Sequence, residues 1–199
     1  MPKIFLLTGI VLTIVIACTQ AGRRGLDANP EGSRISAPPV SSAMNFQELQ
    51  KRPLRLPSIM TDEECPVSPS RDDERSSDQV LGNAPIGPVA IYFGKNRVLQ
   101  VDQKNFNDND KMYEKKVPWM STEYRGPILI RTERIDGRGD GGVKFQWHGR
   151  AIGEGIGVEV TSEQMALPGS TRITGPGCYA YQIDGTSFSE VIVFRVELT

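Results

Sequence analysis

Apolar residues follow two different patterns along this chain. Residues 4–17 form one almost uninterrupted apolar run after the positive charge of Lys3. Beyond residue 84 the apolar residues form short runs rich in β-branched and aromatic types, separated by glycine-containing turns. Helical periodicity is nearly absent there, so the second pattern predicts an all-β domain of the sandwich or small-barrel kind.

Six segments beyond residue 84 have the composition of strands. The segment 143–147 alternates cleanly, which predicts that Val143, Phe145 and Trp147 share one face. Lys95 and Asn96 are a plausible hairpin turn between the first two segments. The predicted strands cover residues 89–93, 98–101, 127–132, 143–147, 179–183 and 188–198.

The segment between the first apolar run and the predicted domain has the composition of a tether. Residues 18–58 are rich in glycine, serine, proline and charge, and they lack the apolar content that would offset the entropy of ordering them. We therefore expect a disordered linker over residues 18–58 and a folded domain over residues 59–199. The acidic stretch 61–78 is typical of a solvated loop.

The apolar run 4–17 is short for a membrane span and fits a secretory signal. Its end, Val15-Ile16-Ala17-Cys18, resembles the lipobox of bacterial lipoprotein precursors. That resemblance implies a signal peptide over residues 1–17, cleavage before Cys18, and attachment of fatty acyl chains such as palmitate to the Cys18 thiol. The protein would then be a lipoprotein of the cell membrane or outer membrane, facing the extracytoplasmic side. An ordinary signal peptide and an uncleaved anchor are the alternatives, and both also place the domain outside the cytoplasm.

Two cysteines remain after Cys18. In an oxidising compartment an isolated pair such as Cys65 and Cys178 forms a disulfide more often than it stays reduced. The alternative is two buried, reduced thiols.

The segment around Cys178 is the most distinctive part of the domain. The block Gly177-Cys178-Tyr179-Ala180-Tyr181-Gln182-Ile183-Asp184-Gly185, followed by Phe188-Ser189-Glu190-Val191-Ile192-Val193-Phe194, resembles the end of a family of uncharacterised bacterial secreted or lipid-anchored proteins. Residues 81–85 and 124–131 extend the resemblance. It implies an architecture and an extracytoplasmic address, but no reaction.

The same block predicts the last two strands of an immunoglobulin-like antiparallel β-sandwich, with Cys65 near the first strand bridging to Cys178. The tyrosine follows the cysteine instead of preceding it by two residues, and no tryptophan lies at the usual place between the cysteines. An ordinary antibody-type domain is therefore not expected, and a small β-barrel is the alternative.

Composition argues against several classes of function. Without residues 1–17 the chain carries 22 basic and 24 acidic side chains, which is not the basic footprint of a nucleic-acid-binding protein. His148 is the single histidine, and no nucleophile motif accompanies it. The loop 136–147 has Arg138 and Trp147 at the third and twelfth positions, where a calcium loop needs oxygen ligands. We therefore expect no enzyme activity, no metal and no cofactor.

Aromatic residues in the long polar insert are the best candidates for a ligand surface. Tyr113, Trp119 and Tyr124 could form it, with help from Lys115 and Lys116. In the competing interpretation these three aromatic side chains cover strand edges, and Trp147 and Tyr92 lie in the core. The sequence thus predicts a non-catalytic binding or structural module with an envelope protein as its partner. The alternatives are a carbohydrate- or wall-polymer-binding module and an enzyme of unrecognised type.

Overall fold

The computed structural model describes residues 42–71, 80–94, 96–162 and 165–199. The predicted signal peptide and Cys18 lie outside these residues. The helices are α1 (Ser42–Gln50) and the 3₁₀ helices η1 (Ala90–Phe93) and η2 (Gln103–Asn105). The strands are β1 (Ser70–Arg71), β2 (Val80–Leu81), β3 (Ile86–Pro88), β4 (Val98–Val101), β5 (Phe106–Asn107), β6 (Met112–Lys116), β7 (Trp119–Ser121), β8 (Gly126–Arg134), β9 (Gly141–Phe145), β10 (Gly149–Ile152), β11 (Gly155–Val160), β12 (Ala166–Leu167), β13 (Gly169–Ile173), β14 (Gly177–Gly185) and β15 (Ser189–Leu198).

A six-stranded sheet forms one layer of the domain, in the order β10-β11-β8-β14-β15-β4. All neighbours are antiparallel except β15 and β4, which are parallel. The hairpin of β14 and β15 is the one that the sequence predicts around residues 184–188. Among the described strands the sheet ends on β10 and β4 without closing, so the protein is an all-β sandwich and not the small barrel that was the alternative.

The second layer contains a four-stranded sheet, β5-β6-β13-β9, and a three-stranded sheet, β12-β7-β3. The pairing of β6 with β13 continues in the same register as the pairing of β7 with β12. Ser170 lies opposite Lys116 in the first pair, and Leu167 lies opposite Trp119 in the second. The same register brings Pro118 opposite Pro168 between the two sheets. A proline has no N–H to donate, so the ladder is interrupted there while the two chains continue side by side.

The core lies between these two layers and is rich in aromatic rings. Tyr181 of β14 stacks on Phe194 of β15 with ring centroids 4.5 Å apart. Trp119 of β7 packs edge-on against Tyr181 at 5.1 Å and against Phe145 at 6.0 Å. These side chains are buried, and such edge-on and offset arrangements are favourable beyond the area they remove from water.

The outer face of the large sheet is also covered. Phe46 and Leu49 of α1 pack against Leu129 of β8. Residues 52–65 then pass over the outer face of β14, with a turn at residues 61–63, and we call this segment the strap. Strand β14 is therefore covered on both faces, and all of its residues from 178 to 185 are buried.

The strap and α1 correct one prediction made from the sequence. The disordered linker was expected to reach residue 58, but residues 46–58 belong to the folded domain. The physical reason is a small but well-placed apolar content. Leu54 and Leu56 are half-buried and alternate with the exposed Pro53, Arg55 and Pro57, as in an extended segment with one face against a sheet.

The disulfide between Cys65 and Cys178 is present, as predicted, with a Cα–Cα distance of 5.6 Å. It lies in the small apolar cluster on the outer face of the sheet, with Ile135, Ala180 and Val193. In antibody domains the corresponding bridge joins the two sheets through the core. Here it fastens the end of the strap to β14.

Two further predictions were wrong. Residues 90–93 form the 3₁₀ helix η1 and not a strand, and β4 pairs in parallel with β15 instead of forming a hairpin with this segment. Trp147 is 75% exposed, because β9 ends at Phe145 and the chain bends before Trp147. Within the described part of the chain, no helix has the length and apolarity of a membrane span.

Candidate functional site

The aromatic surface predicted from the sequence is not formed. Trp119 is completely buried and Tyr124 is nearly so, which excludes both from direct contact with a ligand. Trp119 starts the short strand β7, and the register of β7 with β3 and β12 directs its indole into the aromatic core. The insert thus contributes the largest side chain of the core.

Tyr124 has a structural role as well. Its hydroxyl donates to the carbonyl of Pro127 at 2.8 Å and accepts from the backbone N–H of Thr186 at 3.0 Å. Its ring packs edge-on against Phe188 at 5.1 Å. Tyr124 therefore joins the loop before β8 to the turn between β14 and β15.

Tyr113 is half-buried and packs against the edge of the core. Its ring lies 5.0 Å from that of Phe106, its partner across β5 and β6. Of the three predicted ligand residues, only Tyr113 lies close to a cleft, because its cross-strand partner Phe106 is among the residues that line it.

That cleft lies on the outer face of the four-stranded sheet and has a volume of about 410 Å³. Strands β6, β13 and β9 form its floor, and η2 with β5 forms one side. We call it the lysine cleft. Its lining is polar apart from Phe106 and consists of Lys104, Asn105, Phe106, Asn107, Glu114, Lys116, Lys144, Gln146, Gly169 and Ser170.

Three lysines and a single carboxylate give the lysine cleft an excess of positive charge. Glu114 is already engaged, since it accepts from the Ser170 hydroxyl at 2.7 Å and lies 3.8 Å from the Lys144 ammonium. Arg172 also approaches Glu114, at 3.9 Å, and pairs with Asp110. Among the described residues, Lys104 and Lys116 form no ion pair.

A second groove, of about 510 Å³, lies beside η1. Ile91 and Tyr92 are exposed there, and Lys115 and Glu197 provide one charge of each sign. Tyr92 was expected in the core under one interpretation of the sequence, but the 3₁₀ turn points it outward while Phe93 is buried. Lys115 and Lys116, which the sequence suggested as a pair, line different cavities because successive residues of a strand point to opposite faces.

The polar clusters around Asp184 and Asp136 are occupied by structural contacts. Asp184 is completely buried beneath the strap and accepts from Arg131 at 2.6 Å and from Ser189 at 2.7 Å. Asp136 accepts from Arg134 at 2.6 Å and from the backbone N–H of Cys178 at 2.9 Å. The Asp136 hydrogen bond raises the pKa of Arg134, although burial opposes it. Both carboxylates fix backbone segments in place.

The described residues contain no group of three His, Cys, Asp or Glu side chains suited to a metal ion. His148 is exposed in the bend after Trp147. Burial raises the pKa of Tyr181, whose hydroxyl is hydrogen-bonded to Thr171 inside the core, so this phenol remains neutral.

Lys104, Lys144 and Phe106 were not singled out from the sequence, whereas Lys116 was. A local pattern could not identify them, since the lysine cleft depends on β13 pairing with both β6 and β9. No family model, no curated protein and no solved structure matches the chain.

Proposed function

We propose that this protein is a lipid-anchored extracytoplasmic module whose β-sandwich binds a component of the cell envelope without catalysing a reaction. The observation that carries the proposal is the Cys65–Cys178 disulfide. Disulfides persist in oxidising compartments and are rare in the reducing cytosol. The disulfide agrees with the address that the apolar run 4–17 and the lipobox-like residues before Cys18 indicate.

The position of the disulfide adds to this argument. It fastens the strap, and the strap is the part of the domain that continues through α1 toward the amino-terminal segment. A protein held by a lipid on Cys18 is tethered through that segment. A covalent bond at Cys65 would keep the strap joined to the sandwich when the tether pulls on α1.

The binding part of the proposal rests on the rigid, strand-built surface. Its concave features include the lysine cleft and the groove beside η1, together with two larger clefts of about 630 and 920 Å³ along the strap, in whose linings carboxylates outnumber basic side chains. The alternative function, a module for carbohydrate or wall polymers, is favoured by one specific observation. The lysine cleft combines excess positive charge with amide and hydroxyl groups, which suits an extended, charged and hydroxylated chain.

Expression of the full chain in a bacterium that processes lipoproteins tests the anchor and the compartment together. Wild type, Cys18→Ser and Cys65→Ser are grown with a clickable fatty acid, and free thiols are alkylated before lysis. We expect wild type and Cys65→Ser to carry the fatty acid in the membrane fraction and Cys18→Ser to lack it. The Cys65–Cys178 bond should resist alkylation in wild type, while Cys65→Ser exposes one thiol.

Cys65→Ser is the matched control, because it also removes one thiol but leaves the proposed attachment site intact. Equal labelling of wild type and Cys18→Ser would contradict the lipid anchor. Full alkylation of Cys65 and Cys178 in wild-type cells would contradict the extracytoplasmic location.

A further inference from the structure

We infer that the lysine cleft is the binding site of the domain and that its ligand is an anionic polymer carrying phosphate or carboxylate groups together with hydroxyls. The inference deepens the proposed function, because an envelope polymer reaches the lysine cleft only if the domain lies outside the cytoplasm.

The arrangement of the lysines is fixed by the sheet. Lys116 and Lys144 both lie opposite Ser170, one on each side of β13. Directly opposed residues point to the same face, and neighbouring strands lie about 4.8 Å apart, so the two lysine stems are separated by about 10 Å. Such spacing suits two anionic groups on one chain better than it suits one small anion.

The charges are not balanced within the protein. Glu114 lies two residues from Lys116 on β6; its Oε1 accepts from the Ser170 hydroxyl at 2.7 Å, and Arg172 approaches its other oxygen at 3.9 Å. Its charge is shared between Arg172 and Lys144, while Lys116 and Lys104 have no acidic partner in the described ranges. Like charges on one face repel, and an anionic ligand would remove that repulsion.

The other side chains of the lysine cleft indicate what else the ligand carries. Gln146 is exposed at the end of β9 and offers an amide to hydroxyl groups. Asn105 and Asn107 also line the lysine cleft and add side-chain amides to it. Sugar and polyol units carry several hydroxyls, so these amide groups complement them.

The shape of the site favours an extended chain over a membrane surface. The lysine cleft is a depression between η2, β5 and the edge of β9, and its floor is the sheet itself. A flat bilayer cannot enter such a depression, whereas a narrow polymer can lie along it. We therefore assign the site to a polymer and treat anionic lipid as an outcome of the test.

The test uses the full chain in neutral detergent micelles and fluorescently labelled oligomers of poly(glycerol phosphate) and polygalacturonate. Neutral dextran and phosphatidylglycerol vesicles are the comparison probes. We expect at least one of the two polyanions to bind, and we expect dextran and the vesicles to bind much more weakly than that polyanion. The affinity for the polyanion should fall as added salt screens the charges. The Lys116→Gln/Lys144→Gln variant should weaken binding by roughly tenfold or more, the effect of losing charge-assisted hydrogen bonds.

The matched control is Lys51→Gln/Arg138→Gln, which removes the same charge from exposed positions outside the lysine cleft. It should bind as wild type does within about twofold. Equal weakening in both variants would show a nonspecific charge effect and overturn the inference. So would failure of both polyanions to bind, or preferred binding to the vesicles. The fatty-acid labelling of Cys18 is measured independently, so a negative result here leaves the proposed anchor standing.

Discussion

Replacing Asp184 with asparagine tests whether the strap is held by a buried charge cluster. Asp184 is 0% exposed, and its carboxylate accepts from Arg131 at 2.6 Å. Arg52 of the strap lies 3.8 Å from the other carboxylate oxygen and donates to the carbonyl of Phe188 at 2.6 Å. The substitution retains the size of the side chain and removes its charge.

The expected cost follows from what remains after the substitution. The Arg131 side chain is only 12% exposed and would lose its acidic partner. Removing one member of a buried ion pair costs about 3–5 kcal/mol of unfolding free energy. Arg52 is 31% exposed and can turn toward water, so we expect the lower end, about 3 kcal/mol.

Urea unfolding of the detergent-solubilised chain, followed by the fluorescence of buried Trp119, measures this cost. Hydrogen exchange adds a local readout, because the backbone N–H of Arg55 donates to the Gln182 amide at 2.6 Å beneath the strap. We expect this N–H to exchange faster in Asp184→Asn. Combining it with Arg131→Met should cost less than the sum of the two single variants, since the unpaired guanidinium is then absent.

Glu133→Gln is the matched control, because Glu133 is an exposed carboxylate on the neighbouring strand β8. It should change the unfolding free energy by no more than about 0.5 kcal/mol. An Asp184→Asn cost as small as that of the control would refute the idea that this cluster holds the strap.

Three further predictions concern the core and the disulfide. Trp119→Ala should cost about 3–5 kcal/mol of unfolding free energy, whereas Trp147→Ala should cost less than about 0.5 kcal/mol. Equal costs in urea unfolding would contradict the placement of Trp119 in the core and Trp147 on the surface. Burial raises the pKa of Tyr181, while the phenol of the unfolded chain titrates near 10.0, so the unfolding free energy should fall as the pH rises above about 10. A series of unfolding curves at different pH values checks this, and ionisation of Tyr181 in the folded protein would contradict it. Replacing Cys65 and Cys178 together with alanine should lower the unfolding free energy by up to about 5 kcal/mol, as expected for a loop of 113 residues, and an unchanged denaturation midpoint would contradict a stabilising bridge.

The strands that a sequence pattern identified best are those whose neighbours along the chain are also their partners in the sheet. β14 and β15 form a hairpin, so their composition and the turn between them suffice. The pairing of Cys65 with Cys178 could be inferred because the chain has only three cysteines. Once Cys18 was assigned to the lipid, each of the other two had a single possible partner.

Features that depend on distant pairing could not be predicted in this way. The alternation from Val143 to Phe145 was extended to Trp147, but nothing in the alternation indicates where β9 ends. The strap resembles a linker in composition, although the spacing of Leu54 and Leu56 was a usable signal of one buried face. Its polar partners, such as Gln182 of β14, lie far away in the sequence.

The lysine cleft is the clearest case of this limit. Lys116 and Lys144 become neighbours only because β13 pairs with both of their strands. No local spacing encodes that arrangement. The sequence could therefore suggest a basic contribution near Lys116, but it could not identify the second and third lysines.

The intact mass of the protein extracted from bacterial membranes decides whether this chain is a lipid-anchored extracytoplasmic domain. We expect a chain that begins at Cys18, carries the added mass of a diacylglyceryl group, and is lighter by two hydrogens for the Cys65–Cys178 disulfide. A chain without lipid that begins at another residue, or one in which both of these cysteines are reduced, would contradict it.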